Sequence, residues 1–344
     1  MMSNQVRYHR QLRHWSQAEL ADRSGVPRST VAAVEQDRLS PSVQTALALA
    51  ETLGCTVEEL FPQREPKPPE WAWPPDKVPC GFWKASVNRR VRSYPAEPST
   101  LALFSPDGWY DKREHFFARP DPSRSIVLAS CDPTHGLLAG LVYSRTGFRL
   151  LAFLRNSREA LRLVADGRIH VAGVHLASSR RSEGNIAAVR GDLGSGYRLL
   201  RVACWTEGVA LHPDRRSTAD PPWRDESLRW VTREPGSGAR RCQDQLPDGP
   251  KQFAGPAFNH WEVARLIRQG WADAGICHQF AADQYGLDFF PLRQEVFEFC
   301  FSETWFEDPR AQALEEAVRS LEYRKSLGRL PGFDVTETGE VHTT

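Results

Sequence analysis

The chain has 344 residues, 40% hydrophobic and 25% charged, a composition typical of globular proteins with room for two domains and a short appendage. With 44 basic and 43 acidic side chains, its net charge of +1 excludes a chain-wide cationic surface for a polyanion. No apolar leader core and no run of membrane-spanning length occurs, so the expectation is a cytoplasmic protein with no membrane contact. Seven cysteines, an odd number without a CxxC pair, fit reduced thiols better than disulfides or a zinc knuckle.

Residues 6–13 predict a basic first helix. In residues 16–39, SQAELADRSGVPRSTVAAVEQDRL, Ser16 and Glu19 form a capping box and Gly25 supplies a left-handed stop. Pro27 pre-sets the first turn of the next helix, whose inward face is Val31 and Val34. Its outer face offers Arg28, Ser29, Thr30 and Ala33. That is the pattern of a helix–turn–helix whose second helix enters the major groove of double-stranded DNA. A fourth helix is expected from Ser40-Pro41 to Gly54, and Thr56 with Glu59 makes a second capping box. The bases Arg7, Arg10, Arg13, Arg28 and Arg38 cluster towards one end, with Arg38 expected on phosphate. Together, WSQAELA, GVPRSTV and LGCTVEELF resemble the Cro/C1-type (XRE-like) helix-turn-helix family over residues 6–61. The resemblance implies that Gln17 grips a phosphate and that Arg10 pairs with Glu35.

Residues 63–79 are dense in proline and charge and read as a semi-rigid spacer. Residues 80–120 alternate apolar and polar positions around a PDG turn, the pattern of a small β-rich segment. From Ser125 strands and helices alternate: SIVLAS, RLLAFLR, HVAGVHLA, YRLLRVACWTEGVAL, LRWVTRE, ADAGIC, LDFFPL and EVFEFCF are strands. SREALRLVADG, HWEVARLIRQG, AADQYG and residues 309–325 are helices. This alternation predicts parallel sheets covered on both faces. Residues 331–344 read as a frayed polar tail.

Ligands of such sheets sit beyond the carboxyl ends of the strands. Three ends are furnished: Ser130-Cys131-Asp132, His175, and the run Arg233 to Arg240. In that run Gly236, Ser237, Gly238 and Ala239 open a helix whose N–H groups and Ser237 hydroxyl form an anion nest, with Arg240 adding charge. His260 is a further candidate for the cleft lining. TREPGSGARR, NHWEVARLIRQGWADAGIC, AADQYGLDFFPL and Glu295, with VAGVHL and Asn185, resemble periplasmic-binding-protein-like domains related to molybdate-binding receptors. Cys131 stands where that family leads one to expect histidine.

The resemblance implies a two-lobed type II fold over residues 121–330 that closes on a small anionic ligand such as molybdate or tungstate. Glu295 joins its lining. The expected architecture is therefore an all-α helix-turn-helix head (residues 1–62) and a two-lobed α/β sensor, working as a homodimer. This describes a ligand-responsive transcriptional regulator. The alternatives are a repressor or antitoxin-like protein whose second domain is only a dimerisation scaffold, and an enzyme that uses the cleft. No metal site and no catalytic motif is read from the sequence.

Overall fold

The computed structural model describes residues 4–61, 69–177, 181–215 and 219–344. The chain divides into two compact units, Met1–Pro68 and Pro69–Thr344. Of the expected spacer, residues 63–68 lie outside the described residues.

The first unit is helical: α1 (Val6–Leu12), α2 (Gln17–Ser24), α3 (Arg28–Glu35), α4 (Val43–Thr52) and α5 (Val57–Leu60). Both capping boxes form, with Ser16 Oγ accepting from Glu19 N at 3.1 Å and Thr56 Oγ1 from Glu59 N at 3.3 Å. Gly25 takes the left-handed stop at φ +66. α4 starts at Val43, later than expected, because the Ser42 hydroxyl rather than Ser40 caps it. Pro27 stands at the N-cap rather than inside the first turn. Val6, Leu20, Val31, Val34, Leu49, Leu53 and Leu60 are fully buried and form the core of this unit.

The second unit begins with β1 (Cys80–Val87), β2 (Arg90–Pro95), α6 (Pro98–Leu101), β3 (Gly108–Tyr110) and β4 (Glu114–Phe116). The strands make an antiparallel sheet in the order β2-β1-β3-β4. Residues 70–73, expected in the spacer, belong to this sheet: Trp71 bridges Ser93, and Ala72 N donates to Ser93 O at 2.9 Å. The apolar WAW motif is what holds them down, since Trp73 packs edge-on to Tyr94 and Phe153.

Then follow β5 (Ser125–Ser130), α7 (His135–Thr146), β6 (Arg149–Leu154), α8 (Ser157–Ala165), β7 (Val171–Val174), α9 (Glu183–Leu193) and β8 (Tyr197–Leu211). The second half of the unit adds β9 (Arg229–Arg233), α10 (Gly238–Asp244), β10 (Gln252–Ala257), α11 (His260–Arg268), β11 (Ala274–His278), α12 (Gln279–Gln284) and β12 (Asp288–Ser302). α13 (Pro309–Arg319), α14 (Leu321–Leu327), β13 (Phe333–Asp334) and β14 (Val341–Thr343) close it. The large sheet runs β10-β9-β11-β8-β12-β7-β5-β6, with β13 and β14 on β8.

Two lobes result. One is built on the parallel strands β5, β6 and β7, the other on the parallel strands β9, β10 and β11. All six residues of β5 are buried, as a parallel strand covered on both faces requires. The 15-residue strands β8 and β12, each about 50 Å long, pair antiparallel with one another and run through both lobes.

The expected all-parallel sheet is thus mixed. LDFFPL and EVFEFCF, expected as two strands, are one. Pro291, which cannot donate to a ladder, sits at a register irregularity between Pro291 and Arg293 that keeps the strand continuous. The expected terminal helix breaks at Ser320, whose extended backbone (ψ 144) and hydroxyl cap α14. The expected frayed tail instead pairs with β8, Phe333 opposite Trp205 and Val341 opposite Leu200. α9 and β10 have no counterpart in the sequence reading.

Candidate functional site

In the helical unit α3 presents Arg28 and Ser29 to solvent, with Thr30 and Ala33 half-buried beside them and Arg38 exposed beyond its end. Of the five clustered bases, two serve the fold itself. Arg10 makes a two-pronged pair with Glu35, at 2.6 and 3.0 Å. That contact raises the Arg10 pKa. The Arg13 guanidinium holds the last carbonyls of two helices, His9 O at 3.0 Å and Leu53 O. Gln17, expected on phosphate, donates one N–H to Glu35 Oε2 at 2.8 Å. An amide has a second N–H, so the Glu35 contact positions Gln17 without using up its donors.

In the second unit the strand ends of the two lobes meet. Cys131 and Asp132 follow β5, and Gly173 of β7 leaves room for Ser130, whose Oγ a Cβ there would approach to 2.3 Å. Asp132 accepts from Thr134 N and Oγ1, both at 2.7 Å, which fixes the turn into α7. His175 follows β7. Its backbone N–H donates to Ser157 Oγ at 3.1 Å, and Asn185 Oδ1 accepts the next two amides at 2.7 and 2.9 Å. Asn185 also donates to Val296 O at 3.1 Å, tying this loop to β12. His175 Nδ1 donates to Glu295 Oε2 and its Nε2 faces Cys131 Sγ, each at 2.9 Å. Burial disfavours a charged His175, but Cys131 and Glu207 outweigh it and raise its pKa.

The other lobe contributes Arg233, His260 and His278. Glu234 neutralises Arg233 with two contacts, at 2.9 and 3.1 Å. His260 Nδ1 accepts from His278 N at 3.2 Å, and His278 Nδ1 from Phe280 N at 3.0 Å. Burial and the neighbouring cation Arg233 push the His260 pKa well down, and burial takes that of His278 to about 3. Both rings are therefore neutral at physiological pH. Because each Nδ1 accepts, each proton sits on Nε2. Neither Nε2 has a partner among the described residues. Between the lobes lies Trp205, its ring 5.1 Å from His175, 6.2 Å from His260 and 4.9 Å from His278.

β8 and β12 add Glu207 and Arg293 beneath this junction. Arg293 Nη2 donates to Glu207 Oε2 at 3.0 Å and to Glu295. Two buried carboxylates then share one guanidinium. Burial and the nearby Glu295 carboxylate raise Glu207 to about 8, against the pull of Arg293.

Cys131 Sγ and a ring nitrogen of each of His175 and His260 lie within 4.8 Å of one another. The imidazole bonding argues against a metal there. His260 Nε2 keeps its proton and its Nδ1 lone pair faces the His278 N–H, so neither nitrogen offers a ligand lone pair. The order Cys131–His175–Glu295 is also that of an activated thiol. These residues are only 3%, 1% and 1% exposed, as buried as His260 and His278, so a small molecule reaches the sulfur or the rings only when the lobes part.

The expected anion nest is engaged elsewhere. Ser237 Oγ caps α10 by accepting from Arg240 N at 3.1 Å, and it donates to Glu234 O at 3.0 Å. Arg240 turns away to Asp244 at 2.8 Å. Gly236 is left-handed at φ +90 and shapes the turn. Gly238 brings α10 against the other lobe, where a Cβ would lie 2.7 Å from the His175 ring. Ala239 packs into the core beside Cys242. The structure thus gathers Cys131, His175, His260, Glu295 and Arg233, and leaves Arg240 outside. Sequence reasoning missed Glu207, Arg293, Trp205 and His278. The one signal was a glutamate inside the apolar run of β8.

A helical head on a two-lobed α/β unit joined by two crossing strands is the architecture of a binding-protein fold carrying a DNA-binding module. The chain belongs to the PBP superfamily, whose domain it matches over residues 141–319, and its residues 6–60 match the helix-turn-helix family. The uncharacterized protein YvgK of Bacillus subtilis is 25% identical over 235 residues, 65% of this chain and 75% of that protein. An uncharacterized HTH-type transcriptional regulator of Methanocaldococcus jannaschii is 35% identical over 60 residues, 17% of this chain and 91% of its own. Among solved structures, an ABC-type phosphate transport receptor from Vibrio cholerae aligns at 11% identity and TM-score 0.43, over 61% of this chain and 99% of the receptor. The tungstate ABC transporter from Geobacter sulfurreducens aligns at 12% and 0.45, over 60% and 98%. No helix of the described residues is long and apolar enough to cross a membrane.

Proposed function

We propose that the protein is a ligand-responsive transcriptional regulator in which the two-lobed unit takes up a small oxyanion of the molybdate or tungstate class and thereby alters operator binding by the head. The observation that carries the reading is the buried Nε2–H of His260, which has no partner among the described residues, with a second such donor on His278. A buried donor without an acceptor costs about 1–3 kcal/mol, and an anion between the lobes supplies the acceptor. A neutral donor recognises an oxyanion without a bare cationic pocket, which suits a junction whose Arg233 and Arg293 already face carboxylates.

The test is calorimetry of the full chain with molybdate, tungstate, phosphate and sulfate, repeated on His260→Ala. One of the four should bind, with a loss of at least tenfold in the variant. If none binds, the oxyanion reading fails; if binding is unchanged in the variant, the anion lies elsewhere.

A further inference from the structure

A cavity of about 790 Å³ opens beside the lobe junction, and none of Cys131, His175 or His260 lines it. Its walls come from three places: Leu154, Asn156 and Glu159 of one lobe, Glu234 and Phe258 of the other, and the Trp73–Lys77 stretch with the Pro95–Ser99 turn. That third wall precedes residues 141–319, which match the PBP superfamily. The volume falls in the range of about 300–1,000 Å³ that holds drug-sized organic molecules.

The lining selects by charge and shape. Phe258 stands at the rim 65% exposed, a large apolar ring on a cavity wall that a ligand would cover. Pro74, Pro75, Pro95 and Pro98 give walls whose backbone is already restricted. Arg155 is shared between two carboxylates: it contacts Glu97 at 2.7 and 2.9 Å and Glu159 at 3.1 Å, leaving Glu159 short of counter-charge. Burial raises the Glu159 pKa despite Arg155, and the nearby Glu97 and Glu234 add to the rise. Asp76 adds a fourth acid to a lining whose only bases are Arg155 and Lys77.

We propose that this cavity is a second small-molecule site, for an organic cation that carries a planar ring, with the ring against Phe258 and the charge at Glu159. Such a ligand gains from an aromatic face and from an under-neutralised carboxylate together. With Glu97 and Glu234 already paired to arginines, an anion would still meet Glu159 and Asp76 at the same mouth.

The test uses the full chain and probes of one shape and different charge. Benzamidine, phenethylamine and tryptamine are titrated against benzamide and benzoate by calorimetry and thermal shift. At least one cation should bind, with benzoate and benzamide at least tenfold weaker. Glu159→Gln and Phe258→Ala change half-exposed or exposed side chains and should fold; each should weaken the bound cation about fivefold or more. His260→Ala should leave cation binding unchanged, so the oxyanion reading and this one fail separately. Binding by none of the three cations, equal binding of benzoate, or indifference to both variants overturns the proposal.

Discussion

His170 shows how one buried side chain sets a pH limit on the fold. Its Nδ1 accepts from Val127 N and its Nε2 donates to Ser86 O, both at 3.0 Å, and the ring stacks on Trp305. Burial, reinforced by Arg310, lowers its pKa to about 3. Protonation would set a second N–H against the Val127 amide. Between pH 6.5 and 3 the unfolded chain binds this proton and the folded one does not, so stability is full above pH 6.5 and falls as pH drops through that window. The slope is about 1.4 kcal/mol per pH unit per such group. Urea unfolding at pH 7, 6 and 5 should show it, and His170→Gln should flatten the dependence by about that amount. At the head, Arg28→Ala should cost about 1–3 kcal/mol of discrimination between operator and mismatched DNA if the guanidinium reads a guanine. Gel shifts with paired probes measure it; equal losses on both probes would make Arg28 a phosphate contact instead.

At the scale of elements, α10 is held to the opposite lobe because residue 238 has no side chain. Gly238→Ala brings a methyl to 2.7 Å from the His175 ring and 2.9 Å from its carbonyl oxygen, which is backbone and cannot swing aside. Overpacking of this kind costs about 1–3 kcal/mol, and it displaces the residue that bridges Cys131 and Glu295. The variant should melt lower and bind the oxyanion more weakly. Gly140, on the exposed side of α7, has nothing within 4 Å of the methyl group an alanine would add. Gly140→Ala should therefore stabilise by about 0.5–1 kcal/mol and leave ligand binding alone. Thermal melts of the pair separate backbone entropy from steric conflict.

For the whole molecule, the proposed coupling between oxyanion and operator rests on two lobes that share strands. Contacts made by a ligand to both lobes favour one lobe arrangement by its differential affinity. Couplings of this kind are typically about 1–3 kcal/mol, and linkage makes them reciprocal. Oxyanion affinity should therefore change about 5- to 150-fold when operator DNA saturates the head, and by the factor with which the ligand alters DNA affinity. Calorimetry with and without operator measures it, and equal values would uncouple the units. We also expect a homodimer, because Cro/C1-type heads read two half-sites. Sedimentation at micromolar concentration, with and without DNA, checks this, and a monomer in both would remove it.

How much was legible follows from the range of each interaction. Caps, left-handed glycines and apolar periodicity act within a few residues. Ser16 with Glu19, Thr56 with Glu59, Gly25 and the buried SIVLAS strand could therefore be read directly from the chain. The same local logic placed Cys131, His175 and Arg233 at strand ends. It could not say that Ser237 would spend its hydroxyl on a cap or that Arg240 would find Asp244, because those choices depend on which partner packing brings within reach. Nor could it join His175 to Glu295, 120 residues apart, or set Glu207 beside Arg293, 86 apart. The first pair exists because β12 lies antiparallel to β7, with Glu298 opposite Val174, and the second because β8 and β12 share a register that sets Arg293 opposite Glu207; a shift of one residue would turn the side chains to the other face. The sequence by itself determined the helical head, the alternation of strands and helices through most of the second unit, and which strand ends carry polar groups. Only the tertiary structure decided which of those groups face one another, because strand register and lobe contact are set by burial summed over the whole chain.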